Sequence, residues 1–177
     1  TCALPIWMFQ EHVESKAHVT IAALPVDRSQ ASSFGIVRLD DTGRVVGFLE
    51  KPQSEAELAL VRTDPASIDA RGIQSHGRDC LASMGIYLFN RDTLFELLEK
   101  TKYRDFGKEI FPAAIRSRHV HAFLHDGYWE DIGTIKAFYD ANIQLTQPDP
   151  PFALISPDSP IYSRLRFLPP SQFQGAQ

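Results

Sequence analysis

Apolar runs bounded by turn-forming residues predict the strands of this chain. Val19 to Leu24 is an uninterrupted apolar run of the kind that forms a buried strand. A turn-rich link, Asp40-Asp41-Thr42-Gly43, separates two later runs and supplies a glycine for positive φ, which predicts a β-hairpin. The predicted strands are residues 19–24, 36–39, 45–49, 83–89 and 120–124.

Helical spacing of apolar residues predicts the segments around these strands. Phe9, Val13 and Ala17 are spaced as on one face of a helix over residues 8–16. Residues 54–77 are polar and irregular apart from a short helical stretch. The predicted helices begin at Met8, Glu55, Asn90 or Asp92, Asp105 and Thr134. Strands alternating with helices predict an α/β sheet built from crossover units with mostly covered faces.

The two ends of the chain differ from its middle in residue composition and in the pattern of apolar positions. Residues 1–7 (TCALPIW) are small and apolar without a period, and our hypothesis is that they are a non-native leader. Prolines crowd the segment after Thr146, so residues 147–177 are predicted to be an extended linker.

Composition narrows the classes of partner and compartment. The 177 residues carry a formal net charge of -4, without the basic excess that binds a nucleic-acid backbone. The two cysteines form no CxxC pair, which argues against a disulfide framework and a cysteine zinc site and favours a reducing cytoplasm. No window approaches the roughly 20 apolar residues that cross a bilayer, so we expect neither a nucleic-acid nor a membrane partner.

Several common catalytic motifs are absent from the sequence. There is no GxG spacing, and Gly72 to Gly77 fails as a phosphate-binding loop because Arg78-Asp79 replace the required Lys-Ser/Thr. GxSxG and HExxH are also absent. His119, His121 and His125 leave a metal site conceivable, but an exposed strand face is the favoured interpretation because no nearby cysteine completes a ligand set.

Two segments carry side chains suited to a ligand. Glu50 and Lys51 stand where a predicted strand meets Pro52, and ligands of α/β sheets gather at the carboxyl ends of strands. A lysine there can meet a phosphate and a glutamate can accept from sugar hydroxyls, whereas the alternative is a solvated surface pair. In GYWEDIGT, Asp131 is a candidate Mg²⁺ ligand, and the alternative is an acidic residue favouring the start of the next helix.

The motifs occur together in one order from Met8 to about residue 172. They are VTIAALPV, SSFGIVRLDDTGRVVGFLEKP, SMGIYLFN, DFGKEIFP, DGYWEDIGTIKAFYDAN and SPIYSRLRFLPPS. In this combination the chain closely resembles the ADP-glucose pyrophosphorylase family, the glucose-1-phosphate adenylyltransferases that make the glucosyl donor for glycogen or starch. FLEKP and WEDIGT recur in sugar nucleotidyltransferases generally, whereas SMGIYLF and the IYSRLRFLPPS linker point to the adenylyl branch.

The resemblance implies a Rossmann-like α/β sandwich of the nucleotide-diphospho-sugar transferase type, followed by a left-handed β-helix. Residues 8–146 would be the second half of the catalytic domain, and residues 147–177 the linker and the start of the β-helix. The family's glycine-rich nucleotide loop and a further catalytic aspartate would lie before Met8. The family also implies an allosteric, tetrameric, cytoplasmic enzyme.

The same resemblance implies roles for individual residues. Gly35 would line the glucose-1-phosphate site, Glu50 would accept from sugar hydroxyls, and Lys51 would bind the phosphate. Ser83 would hydrogen-bond the glucose. Asp131 would be catalytic as a ligand of Mg²⁺, with ATP as the second substrate.

Three alternatives remain beside this assignment. The chain could belong to a sugar nucleotidyltransferase that uses UTP, dTTP or GTP, since base selection would lie largely upstream. It could belong to a regulatory subunit that binds sugar phosphate without turnover. The 177 residues alone are expected to be inactive, because they would lack the nucleotide loop.

Overall fold

A computed structural model describes residues 3–99, 103 and 105–153, without the side chains of residues 3 and 4. The chain divides into two compact units, residues 1–126 and residues 127–177. The first unit contains a five-stranded sheet in the order β3-β2-β4-β1-β5. The strands are β1 Val19–Val26, β2 Gly35–Leu39, β3 Val45–Glu50, β4 Cys80–Phe89 and β5 Val120–Leu124.

The directions of two strand pairs differ from the prediction. All five predicted strands are present, but β1 pairs antiparallel with β4, β2 with β3, and β2 with β4. Of the strands in the described residues, only β1 and β5 run parallel. The hairpin prediction for β2 and β3 is confirmed, whereas the crossover prediction is wrong for the β1–β4 and β2–β4 pairs. The Asp40–Gly43 turn joins β2 to β3 directly, and so short a link permits only an antiparallel pair.

The tip of this hairpin also reaches β5. Ala122 N–H donates to the carbonyl of Gly43 over 3.2 Å, and Arg44 forms an antiparallel bridge with His121. Asp40 shapes the turn, because its Oδ1 accepts from Thr42 N–H at 2.9 Å. The hairpin therefore pairs with β4 through its strand β2 and contacts β5 through its tip.

Helices cover this sheet at several points. They are α1 Ala3–Glu14, α2 Arg28–Ala31, α3 Glu55–Ala59, α4 Pro65–Asp69, α5 Arg91–Glu99 and α6 Phe111–Ser117, the last preceded by a π-helical turn at Phe106–Ile110. Phe111 and Ala114 of α6 are buried in one core cluster with Ile21, Val37 and Leu81 of the sheet. The sheet and α6 thus form the main hydrophobic core.

Helix α1 buries a different face from the predicted one. It begins at Ala3 rather than Met8, and it buries Met8 and His12 while Phe9 and Val13 are exposed. Burial of His12 is compensated, because its Nδ1 lies 2.7 Å from Thr20 Oγ1 and its Nε2 3.1 Å from Asn90 Oδ1. The pattern of apolar residues did not reveal this face because the polar His12, whose two ring nitrogens both have hydrogen-bond partners, lies on it. The non-native origin of residues 1–7 stays a prediction.

The polar segment between β3 and β4 is more ordered than its composition indicates. Helix α3 begins with a capping box, in which Ser54 Oγ accepts from Glu57 N–H and the Glu57 carboxylate accepts from Ser54 N–H. Helix α4, which the sequence did not predict, begins at Pro65 behind the capping residue Asp64. Proline opens a helix here because the first turn requires no N–H from it.

A buried carboxylate ties this segment to the sheet. Asp79 accepts two hydrogen bonds from Arg28, at 2.6 and 3.0 Å, and another from Arg62 Nε at 2.6 Å. Its side chain is 7% exposed. These guanidinium contacts, led by the Arg28 hydrogen bond, outweigh burial and lower the pKa of Asp79 to about 2. Burial and the neighbouring Asp79 raise the pKa of the Cys80 thiol to about 12, which favours the protonated thiol at neutral pH.

The second unit is described from residue 127 to residue 153. Helix α7, Ile135–Leu145, begins at the predicted position, and Thr134 Oγ1 caps it by accepting from Ala137 N–H at 3.1 Å. Residues 147–153 are not helical, as expected for the start of the linker. The predicted β-helix start lies outside the described residues. No helix in the described ranges is long and apolar enough to span a membrane.

Candidate functional site

Three predicted site residues lie side by side across the sheet. Glu50 on β3 is the register partner of Gly35 on β2. Gly35 and Ser83 each lie one position beyond the paired Ile36 and Ala82 of β2 and β4. Glu50, Gly35 and Ser83 come from three separate motifs, yet they occupy adjacent positions on neighbouring strands. We call this row the Glu50–Gly35–Ser83 strip.

The carboxylate of Glu50 lies between two glycines. A Cβ placed on Gly35 would lie 2.8 Å from Glu50 Oε2 and 2.6 Å from Phe48 Cζ. A Cβ placed on Gly107 would lie 3.0 Å from the same Oε2. Glycine at both positions thus makes room for the half-buried Glu50 side chain. Gly35 was predicted to leave space for a ligand. In the structure, the missing side chain at Gly35 leaves space for the side chains of Glu50 and Phe48.

An irregularity in β4 aligns Ser83 with a tyrosine that the sequence did not single out. The register of β1 against β4 shifts between Ser83 and Tyr87, and Gly85 between them has φ of 70°. Gly85 N–H donates to Ser83 Oγ at 3.2 Å. The bulge lies between Ser83 and Tyr87, and although burial raises the pKa of Tyr87, the Ser83 hydroxyl acts to lower it.

The carboxylates of Glu50 and Asp105 influence the hydroxyl of Tyr87. Burial raises the pKa of its hydroxyl, the hydrogen bond with Ser83 opposes that shift, and the charges of Glu50 and Asp105 add to it. Asp105 itself opens the π-helical turn by accepting from Lys108 N–H at 2.8 Å. Tyr87 and Asp105 therefore join the candidate site. The signal in the sequence was their place inside SMGIYLF and DFGKEIFP, two of the motifs that carry the family resemblance.

Aromatic packing fixes the orientation of Tyr87. Its ring lies 5.4 Å from the Phe111 ring and 6.4 Å from the Phe106 ring, measured between centroids. Phe111 also packs edge-on against Phe48, with centroids 4.9 Å apart. Phe48 lies against Gly35. The rings of Tyr87, Phe106, Phe111 and Phe48 therefore form one cluster that packs beside the strip at both Tyr87 and Gly35.

Lys51 follows Glu50 in an unusual backbone conformation. Its φ is 50°, in the left-handed region that side chains other than glycine rarely adopt. The Lys51 N–H donates to the Phe34 carbonyl at 2.9 Å, and Pro52 after it is buried while the Lys51 side chain is exposed. Strain of this kind clusters at ligand sites. Lys51 therefore presents its ammonium to solvent directly after the Glu50 end of the strip.

Asp131 lies on an exposed loop of the second unit. Its Oδ1 accepts from Gly133 N–H at 3.1 Å, and the cap of α7 is Thr134 rather than Asp131. In the part of the chain that the structure describes, no three His, Cys, Asp or Glu side chains cluster as metal ligands. Mg²⁺ usually takes only one or two carboxylates beside phosphate oxygens, so an exposed Asp131 fits the role of a single ligand.

Among the described residues, the histidines near β5 belong to no cluster of three potential metal ligands. His121 is 6% exposed, and its Nε2 lies 2.7 Å from Glu11 Oε1 of α1. The interpretation as an exposed strand face is therefore wrong for His121, which ties α1 to β5. Burial lowers the pKa of the neighbouring His119, and the charges of Arg44, His121 and His18 lower it further.

The fold is a mixed α/β domain in which a carboxylate, a hydroxyl and a lysine from neighbouring strands lie close to the carboxyl end of β3. Residues 6–148 match the family model described as nucleotidyl transferase, and the chain belongs to that family. The match supports a sugar-phosphate nucleotidyltransferase in general, with a nucleotide and a sugar phosphate as substrates.

Proposed function

We propose that this chain is the sugar-phosphate-binding part of a glucose-1-phosphate adenylyltransferase. The observation that carries the proposal is the Glu50–Gly35–Ser83 strip with Tyr87 and Lys51 beside it. Carboxylate and hydroxyl groups suit sugar hydroxyls, and an exposed ammonium suits a phosphate. The choice of ATP and glucose rests on the resemblance of SMGIYLF, DGYWEDIGT and the proline-rich linker to the ADP-glucose pyrophosphorylase family.

In the proposed reaction, a phosphate oxygen of glucose-1-phosphate attacks the α-phosphorus of ATP. The new P–O bond forms as the bond to the β-phosphate oxygen breaks, which releases pyrophosphate and gives ADP-glucose. This chemistry depends on positioning and charge neutralisation more than on covalent help. Glu50, Ser83 and Tyr87 would orient the sugar, and Lys51 would hold the phosphate that attacks.

Asp131 would hold Mg²⁺, which supplies charge neutralisation on the phosphates when it is bound. One oxygen of the exposed carboxylate accepts from Gly133 N–H, which restricts the orientation of the carboxylate on the loop before α7. Its proposed role is to keep a negative charge at that position. The nucleotide loop and the second aspartate that the resemblance places before Met8 would complete the centre.

Pyrophosphate release from glucose-1-phosphate with ATP, UTP, dTTP or GTP tests the proposal. The assay is run on the 177-residue chain and on the chain extended with its native upstream sequence. We expect turnover only by the extended chain, with preference for ATP. Preference for another nucleotide would assign a different sugar nucleotidyltransferase. Binding of glucose-1-phosphate without turnover of any nucleotide would instead support a regulatory subunit.

A further inference from the structure

The amide side chain of Gln53 holds the main chain of Lys51. Gln53 Nε2 donates to the Lys51 carbonyl at 2.8 Å and lies 3.4 Å from the Ser32 carbonyl. Lys51 N–H donates to Phe34 at 2.9 Å. Both main-chain polar groups of Lys51 are thus bonded, and one of the two bonds comes from Gln53.

The conformation that these bonds maintain is one that Lys51 does not favour by itself. Its φ of 50° lies in the left-handed region. The next residue is Pro52, and residues before proline prefer extended conformations. Without its partners, Lys51 would relax toward an extended backbone. Such a change would alter the direction in which its side chain leaves the end of β3.

Gln53 is itself anchored by helix α3. Its N–H donates to Glu57 Oε2 at 2.8 Å, and the same oxygen accepts from Ser54 N–H at 3.1 Å. These contacts lower the pKa of the Glu57 carboxyl, the bond from Gln53 N–H being the largest cause. The capping box of α3 therefore fixes the backbone from which the Gln53 side chain reaches back to Lys51.

We infer that Gln53 is a positioning residue, which sets the direction of the Lys51 ammonium toward the phosphate of the sugar phosphate. This inference rests on the proposed function, since it requires Lys51 to bind that phosphate. Gln53 touches the Lys51 main chain, and its contribution to phosphate binding passes through Lys51.

The experiment measures glucose-1-phosphate binding to the 177-residue chain by isothermal titration calorimetry. Gln53→Met keeps the length of the side chain and removes the donor. We expect its Kd to rise about two- to tenfold, as for loss of one hydrogen bond. The exposed Gln10 of α1 gives the matched control, because Gln10→Met makes the same change far from β3 in sequence and is expected to leave Kd unchanged.

A double-mutant cycle separates positioning from a general structural effect. In a Lys51→Met background there is no ammonium to direct, so adding Gln53→Met should leave Kd unchanged. In the upstream-extended chain, Gln53→Met should raise KM for glucose-1-phosphate and leave kcat within about twofold. Thermal unfolding of each variant is followed by circular dichroism, and we expect the midpoints of the Gln53→Met and Gln10→Met variants to agree.

Each result bears on the inference separately from the function. If the original chain binds glucose-1-phosphate and Gln53→Met binds it equally well, the positioning role is overturned while the proposed function stands. An equal loss of binding in the presence and absence of Lys51 also overturns it, because Gln53 would then act on the fold. If the original and extended chains neither bind nor turn over glucose-1-phosphate, the proposed function falls and the inference falls with it.

Discussion

Substitution of Gly35 by alanine tests the packing beneath the strip. The added Cβ would lie 2.6 Å from Phe48 Cζ and 2.8 Å from Glu50 Oε2, and both distances are shorter than a van der Waals contact. Both the Phe48 ring and the Glu50 carboxylate must move. The Phe48 ring is held by Phe111 at 4.9 Å, so its displacement disturbs the core, whereas the carboxylate is the free end of a flexible chain.

Overpacking of a filled site costs typically about 1–3 kcal/mol. Alanine also reduces the freedom of the unfolded chain, which returns about 0.4–1 kcal/mol. We therefore expect Gly35→Ala to lower the free energy of unfolding by about 1–2 kcal/mol. Because Glu50 moves as well, the affinity for glucose-1-phosphate should fall together with the stability.

Urea denaturation gives the free energy of unfolding, and calorimetric titration gives the Kd. Gly47→Ala on β3 is the matched control, since its Cβ would lie 3.3 Å from Cβ of Arg38, whose side chain is exposed. That variant should stay within about 0.5 kcal/mol of the original and keep its affinity. If Gly35→Ala matched Gly47→Ala in both measurements, the requirement for glycine beside Glu50 would be refuted.

Further predictions concern charges at three positions. Lys51→Ala should raise KM for glucose-1-phosphate in the upstream-extended enzyme far more than it lowers kcat, and an unchanged KM would remove Lys51 from the site. Asp131→Asn should lower kcat by orders of magnitude through loss of the Mg²⁺ ligand, whereas near-normal turnover would leave Asp131 without a catalytic role. The folded-state pKa of Asp79 lies at about 2, below the usual 3.8, so its carboxylate stabilises the fold above about pH 4 and loses that effect as the pH falls toward 2. Asp79→Asn should therefore cost about 2 kcal/mol at pH 7 and flatten the acid limb of a urea-derived stability profile, and an unchanged limb would contradict the assignment.

The sequence predicted the strands better than their directions. Runs such as Val19 to Leu24 identify strands because burial requires apolar side chains whatever the direction of the neighbour. Strand order and direction depend on contacts between distant segments, and the polar, irregular residues 54–77 carry no pattern that indicates either. Helix α1 shows the same limit, since the burial of His12 depends on partners at Thr20 and Asn90.

Some features of the candidate site could be predicted from the sequence and others could not. Glu50, Gly35 and Ser83 were named from motifs, and the register of the sheet brings them together. Tyr87 was missed because its place beside Ser83 depends on the bulge at Gly85, which no periodicity reveals. The left-handed backbone of Lys51 was equally hidden, since its sequence context before proline favours an extended chain.

The contact of the hairpin tip with β5 has a consequence for association with other chains. An outer strand with free N–H and carbonyl groups is a template for pairing with a strand of another molecule. Ala122 N–H is occupied by Gly43, and Arg44 bridges to His121, so part of this outer edge is covered from within the chain. The cover joins residues about eighty positions apart, so it depends on the tertiary fold and not on local structure. Opening of the contact between the hairpin tip and β5 would therefore expose this edge for pairing with another chain.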